Sequence, residues 1–186
     1  MAESRREQIL ATAADLFAAR GFHGVSVAEL GAACGISGPA LYKHFTSKQA
    51  MLSEMLTSIS EELLAVGRER VAAAGGDPAA ALRGLVDWHV EFATTQRPLI
   101  VVQDRDWESL PEDAREQVRR LQRSYINLWA DQLRTLRDDL DQPSAHAAAQ
   151  AAFGLLNSTP RAGHGIPDAR LRELLGSMAL AALGVS

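Results

Sequence analysis

The stretch Ser26–Lys48, SVAELGAACGISGPALYKHFTSK, constrains this chain more than any other. It holds two short helical segments, Val27–Cys34 and one beginning at Gly38, separated by Gly35. Ser26 caps the first, with Glu29 three residues on, the spacing at which serine and glutamate satisfy each other's backbone N–H. Gly35 ends that helix, Ile36 supplies one apolar plug, and Ser37 caps the second. Gly38 and Pro39 occupy its first turn, where proline is tolerated because no intrahelical N–H is needed. Leu41 and Phe45 stand four apart and should point into a small core, which leaves Tyr42 and Lys43 partly outward. Gly31 reads as a weak point, costing about 1 kcal/mol relative to alanine inside a helix. Two short helices around a glycine-bearing turn form a helix-turn-helix pattern. The second helix of such a unit fits the major groove of DNA.

The flanks are helical throughout. Ser4 caps a helix to Arg20, again with an acidic residue (Glu7) three positions on, and Ile9, Leu10, Ala13, Leu16 and Phe17 recur at helical spacing until Gly21 stops it. Ser47 opens a long helix to about Ala73 with no proline or glycine-serine linker, so head and body should be joined by a stiff rod. Gly75-Gly76-Asp77-Pro78 is the clearest break. Further helices are expected over Pro78–Thr95, Pro98–Trp107, Pro111–Asp138, Pro143–Ser158 and Asp168–Leu183. The fold class is therefore all-α with about nine helices: a three-helix head over residues 1–47 and a helical body over residues 48–186. The last helix is apolar on almost every side (Leu171, Leu174, Leu175, Met178, Leu180, Leu183) and the one before it is alanine-rich. Together they suit close packing against a second copy of the chain.

Charge separates the two parts. Residues 1–48 carry a balance of +1 and the remainder −5, within a net charge of −4, so an acidic body would stand off phosphates while the head meets them. That balance argues against non-specific DNA coating, which depends on counterion release. The lone Cys34 excludes an intrachain disulfide, and a small buried hydrophobe is its simplest reading. His23, His44, His89, His146 and His164 are scattered without ligand spacing, so no metal or other cofactor is expected. The start MAESRREQIL lacks a signal-type apolar core, and Leu174–Val185 is too short to span a bilayer. A cytoplasmic protein without membrane partners is expected.

Residues 5–52 resemble the DNA-binding domain of the TetR family of transcriptional regulators. The resemblance rests on LFAARGFHGVSV, AELGAACGIS and LYKHFTSKQAML in that order. Gly31 and Cys34 stand where that family commonly has alanine. The resemblance implies that Ser26 bonds a phosphate as well as capping, and that Ser37, Gly38, Pro39 and Ala40 form the base-facing edge. It also implies that Tyr42 and His44 touch the sugar-phosphate backbone, and that Lys48 clamps a phosphate. Lys43 suits base or phosphate. The small residues at 38–40 offer few hydrogen-bonding tips, so DNA shape and thymine-methyl contacts should share the discrimination. Plainer readings remain beside these: Tyr42 as a half-buried core residue, and His44 as a helix-end cap.

The resemblance further implies a homodimer through the last two helices (about 143–158 and 168–183) on a palindromic operator in double-stranded DNA, and a small-molecule effector in the body. Residues suited to line an effector site are Met55, Ile59, Leu63, Trp88, His89, Phe92, Ile100, Gln103, Arg105, Trp107, Tyr125, Trp129, Phe153 and Asn157: an apolar wall with few polar tips. Gln103-Asp104-Arg105-Asp106 has two readings, a solvated face with local ion pairs or a group in which Gln103 and Arg105 orient a ligand. HVEFATTQRPLIVVQDRDWESLP and LQRSYINLWADQLR resemble actinobacterial regulators that accompany fatty-acid or acyl-CoA catabolism. A repressor released by a small, largely apolar effector is the leading expectation. An activator or corepressor-dependent regulator would use the same parts. An enzyme is the remote alternative: His89 lies near Asp87 and Glu91, but no nucleophile, metal spacing or phosphate loop accompanies them.

Overall fold

The computed structural model describes residues 4–162 and 165–185, so His164 lies outside the described residues. Among these residues there is no strand. The α-helices in order are α1 Arg5–Arg20, α2 Val27–Ala33, α3 Gly38–Leu41, α4 Lys48–Ala73, α5 Pro78–Thr95, α6 Arg97–Asp106, α7 Glu112–Leu136, α8 Gln142–Leu156 and α9 Asp168–Leu183. A 3-10 turn, Trp107–Ser109, follows α6. The all-α expectation holds, with most ends moved by a residue or two, as fraying ends do. The larger difference is α3, which stops at Leu41. Lys43, His44 and Phe45 continue in tight turns, their N–H groups donating to Ala40 and Leu41. Both capping boxes form, at Ser4–Glu7 and Ser26–Glu29.

Packing divides the chain differently from one cut after residue 47. The first unit takes the chain through Ile59 and adds Pro98–Val118; the second takes Ser60–Arg97 and the chain from Arg119 onward. Helices α4 and α7 are continuous across these limits, so each contributes to both units. No helix of the described residues is long and apolar enough to cross a membrane.

The first unit packs Ile9, Ala13 and Phe17 of α1 with Phe22, Val25, Leu30, Leu41 and Phe45. Met51, Leu52, Met55 and Leu56 of α4 and Val102, Leu110 and Val118 complete this core. Leu41 and Phe45 are buried as the four-residue spacing requires. Gly31 is not the weak point its helix position suggests. A Cβ there would lie 2.8 Å from the Ile36 carbonyl oxygen, 3.0 Å from the Gly38 nitrogen and 3.1 Å from the Ser37 carbonyl carbon. All three are backbone atoms, so the turn into α3 lies directly on α2, and only a residue without a side chain admits it. The Gly31 carbonyl also accepts the Ile36 N–H at 2.9 Å.

In the second unit α9 packs on α5 and α8. The core runs from Leu82, Leu85 and Val86 through Trp129 and Leu133 to Ala145, Ala149, Ala152 and Leu156, and ends on Leu171, Leu175, Ala179 and Leu183. The alanines of α8 permit this close approach. Gly67 of α4 serves a similar purpose: a Cβ there would meet Cε2 of Tyr125 at 2.7 Å. Arg97 pairs with Asp168 at the start of α9 at 2.6 Å, and Arg172 donates to the Thr94 hydroxyl at 2.8 Å. The buried face of α9 leaves Leu174 (38% exposed) and Met178 (47%) outside.

Candidate nucleic-acid interface and effector site

The expected DNA-reading edge is exposed and held from behind. Ser37 caps α3, its hydroxyl accepting the Ala40 N–H at 3.3 Å. Ser37 and Pro39 are exposed, and Gly38 and Ala40 are half-buried between them. Tyr42 is 54% exposed, which removes the reading of it as a core tyrosine. Lys43 is exposed beside it, and His44 is half-buried. Ser26 has a second partner besides the α2 backbone: its hydroxyl lies 2.7 Å from the Glu29 carboxylate, which also accepts from Arg20. These bonds, the Ser26 hydroxyl first, hold the Glu29 carboxyl well below its ordinary range, at about 2. The Ser26 hydroxyl therefore donates to the Glu29 carboxylate in the free protein, and a phosphate would have to be met by exchanging that bond.

Lys48 is built into the head. Its ammonium donates to the Phe22 carbonyl at 2.7 Å and the Val25 carbonyl at 2.8 Å, and sits 4.3 Å from the centroid of the Phe22 ring. Burial pulls its pKa down, and the nearby Asp106 carboxylate opposes this. Two of its three N–H donors are thereby used, and one remains.

Two braces escape sequence reasoning. Arg6 makes paired bonds to the Glu54 carboxylate, donates to the His44 carbonyl, and lies 4.1 Å over the Phe45 ring, so it fixes the turn that carries Tyr42–His44. Arg105 caps the end of α1, donating to the Phe17 carbonyl and, at 3.0 Å, to that of Ala18. The buried Asp106 pairs with Arg105 at 3.2 Å and accepts the Phe22 N–H at 3.1 Å. The last two residues of the polar group at 103–106 form a local ion pair and also hold the end of α1 and the turn after it. Nothing in local sequence marks these partners, which lie tens of residues apart.

The expected effector residues divide between the units. Met55, Ile59, Ile100, Gln103, Arg105 and Trp107 belong to the first. Leu63, Trp88, His89, Phe92, Tyr125, Trp129, Phe153 and Asn157 belong to the second. Within the second unit, His89 (3% exposed) is the centre of a ring cluster. It lies nearly parallel to Phe153, with centroids 4.8 Å apart, and to Tyr125 at 5.8 Å; Phe92 and Trp129 meet it edge-on. Such offset and edge-to-face pairs add to simple burial. His89 Nε2 bonds Asn157 Oδ1 at 3.1 Å, and Trp88 donates to the Leu63 carbonyl at 3.3 Å. Burial pushes the Tyr125 phenol far up; the Trp129 indole opposes this weakly without hydrogen-bond geometry. Asp87 and Glu91, the neighbours that suggested an enzyme, are exposed while His89 is buried.

Burial lowers His89 from 6.5 to about 4, with the Asn157 bond opposing. The folded protein holds the ring neutral, whereas the unfolded chain protonates it below about pH 6.5. The stability linked to this group is present above that pH. It declines as pH falls, and its loss is complete below about pH 4, a total of about 3 kcal/mol. Urea midpoints should fall across this window, and His89→Phe should flatten the decline. Equal declines in both proteins would contradict this role for His89.

A trihelical head with an exposed, serine-capped edge, joined to a helical body with a buried ring cluster, defines a helix-turn-helix transcription regulator. Residues 9–55 match the family model described as bacterial regulatory proteins, tetR family. Residues 75–161 match the tetracyclin repressor-like C-terminal domain. The HTH-type transcriptional repressor KstR2 of Rhodococcus jostii is 30% identical over 83% of this chain and 76% of its own length. A TetR-family regulator from Bordetella parapertussis superposes with a TM-score of 0.82 at 32% identity, covering 96% of this chain and 95% of that one. The fold also matches AibR in complex with isovaleryl coenzyme A and operator DNA, with a TM-score of 0.72 at 20% identity, covering 94% and 97%. The chain belongs to the TetR family. Members of this family are DNA-binding transcription regulators.

Proposed function

We propose that the chain is a homodimeric repressor that leaves a palindromic operator when a small, largely apolar effector, an acyl-CoA or related lipid metabolite, binds its body. The observation that carries this reading is the pairing of parts: an exposed edge at Ser37–Lys43 braced for output, and a buried ring cluster around His89 suited to an apolar molecule. The relative in Rhodococcus jostii is a repressor, and AibR holds isovaleryl coenzyme A and operator DNA on the same fold.

In this reading Ser37, Gly38, Pro39 and Ala40 approach bases, with Lys43 on a base or phosphate. Ser26, Tyr42, His44 and the remaining donor of Lys48 meet the DNA backbone. The exposed Leu174 and Met178 of α9 and the exposed Ala147 and Ala151 of α8 supply the dimer contact, which sets two heads on a two-fold axis. The effector must bind the DNA-incompetent state better than the competent one, by about 1–3 kcal/mol for an ordinary coupling.

Fluorescence anisotropy of the protein on its DNA, titrated with acyl-CoA thioesters of increasing chain length, tests the effector class. Release that depends on chain length is expected. Absence of release at every length would discard acyl-CoA thioesters as effectors.

A further inference from the structure

Three polar atoms of the ring cluster in the second unit are buried with no hydrogen-bond partner: Nδ1 of His89, the hydroxyl of Tyr125 and the indole N–H of Trp129. They come from two helices, α5 and α7, yet their rings lie within 5.8–6.1 Å of one another, centroid to centroid. Buried polar groups are nearly always paired, so three orphans gathered in one ring cluster call for a common partner.

Their chemistry narrows what that partner is. With Asn157 Oδ1 accepting from Nε2, His89 carries its proton there and Nδ1 is left as an acceptor. Trp129 only donates, and Tyr125 does either. The complement of an acceptor, a donor and a hydroxyl is an oxygen that both donates and accepts. The side chains packed on these rings, Phe92 edge-on and Phe153 stacked, are apolar, and Asn157 is neutral. A carboxylate or phosphate placed here would lose its water without gaining a cation.

We propose that the effector is apolar at its buried end and carries there one uncharged hydroxyl, which donates to His89 Nδ1 and accepts from the Trp129 indole, with the Tyr125 hydroxyl beside it. This rests on the effector reading above and states which chemistry that site selects. A lipid metabolite hydroxylated at its buried end fits it; a free fatty-acid head does not.

The test uses the full chain and four matched probes: 1-decanol, 2-decanone, decanoate and decane, followed by tryptophan fluorescence and thermal shift. The alcohol should bind about tenfold more tightly than the ketone, decanoate or decane, the worth of one well-made buried hydrogen bond. Tyr125→Phe should abolish that preference while leaving the Tm of the free protein unchanged or higher, because it deletes a hydroxyl that has no partner there. Trp129→Phe should weaken the preference independently. Decanoate binding as well as decanol would overturn the proposal. So would a marked fall in Tm for Tyr125→Phe, which would mean the hydroxyl is already satisfied. Loss of the preference with acyl-CoA release of DNA intact would sink this inference alone. Failure of every probe to bind, together with no release by any thioester, would remove the effector reading as well.

Discussion

Replacing Lys48 with alanine will destabilise the head and weaken binding to every DNA sequence together. The Phe22 and Val25 carbonyls each lose a charged donor, at 2.7 and 2.8 Å, and the Phe22 ring loses its cation. Hydrogen bonds to charged groups contribute about 1.5–3 kcal/mol each, and carbonyls left without a donor in a closed turn recover little from water. A loss of about 3 kcal/mol in the stability of the first unit is expected, measured by denaturant unfolding. The remaining N–H donor gives the variant a second signature. If it reaches a phosphate, the slope of log K against log salt will shrink by about 0.9, one released counterion. Weaker binding with an unchanged slope would confine Lys48 to its bonds inside the head. Unchanged stability would contradict the structural role.

Gly31→Ala should also cost the protein its DNA affinity, against the direction helix propensity points. Alanine is better than glycine within a helix by about 1 kcal/mol, so on local grounds the variant gains stability. The added Cβ, however, would stand 2.8 Å from the Ile36 oxygen and 3.0 Å from the Gly38 nitrogen. Backbone cannot swing aside as a side chain can, so the turn into α3 must be pushed off α2, taking Ser37–Ala40 with it. Overpacking of this kind costs about 1–3 kcal/mol or more, and the net change should be a loss of about 2 kcal/mol. Unfolding and DNA binding measured on the same variant should fall together. A gain in stability with full DNA affinity would show that the turn yields.

The contrast between these residues shows what was legible in the sequence. Ser4–Glu7 and Ser26–Glu29 are local pairs, and both appear as capping boxes because the geometry depends only on spacing along a helix. The core face of α3, with Leu41 and Phe45, follows from the same periodicity. Gly31 was misread because its reason lies in a turn crossing over it, which spacing does not display. Arg6 with Glu54, Lys48 with Phe22, and Arg105 with Phe17 are separated by 48, 26 and 88 residues, and each position is ordinary in its own segment. His89 drew notice for Asp87 and Glu91, its neighbours in sequence. Its real partner is Asn157, 68 residues on, with the rings of α7 and α8 around it. Helix ends and faces are local properties; braces and binding clusters are products of the folded path.

The proposed repressor requires the Ser26–Lys48 head to read DNA as one half of a symmetric pair. Selection of binding fragments by the purified full-length protein from random-sequence duplex DNA tests it most directly. The expected result is enrichment of an inverted repeat whose half-sites are centred about one helical turn, or a whole number of turns, apart. Failure to enrich any sequence, or enrichment of a single asymmetric site, would contradict it.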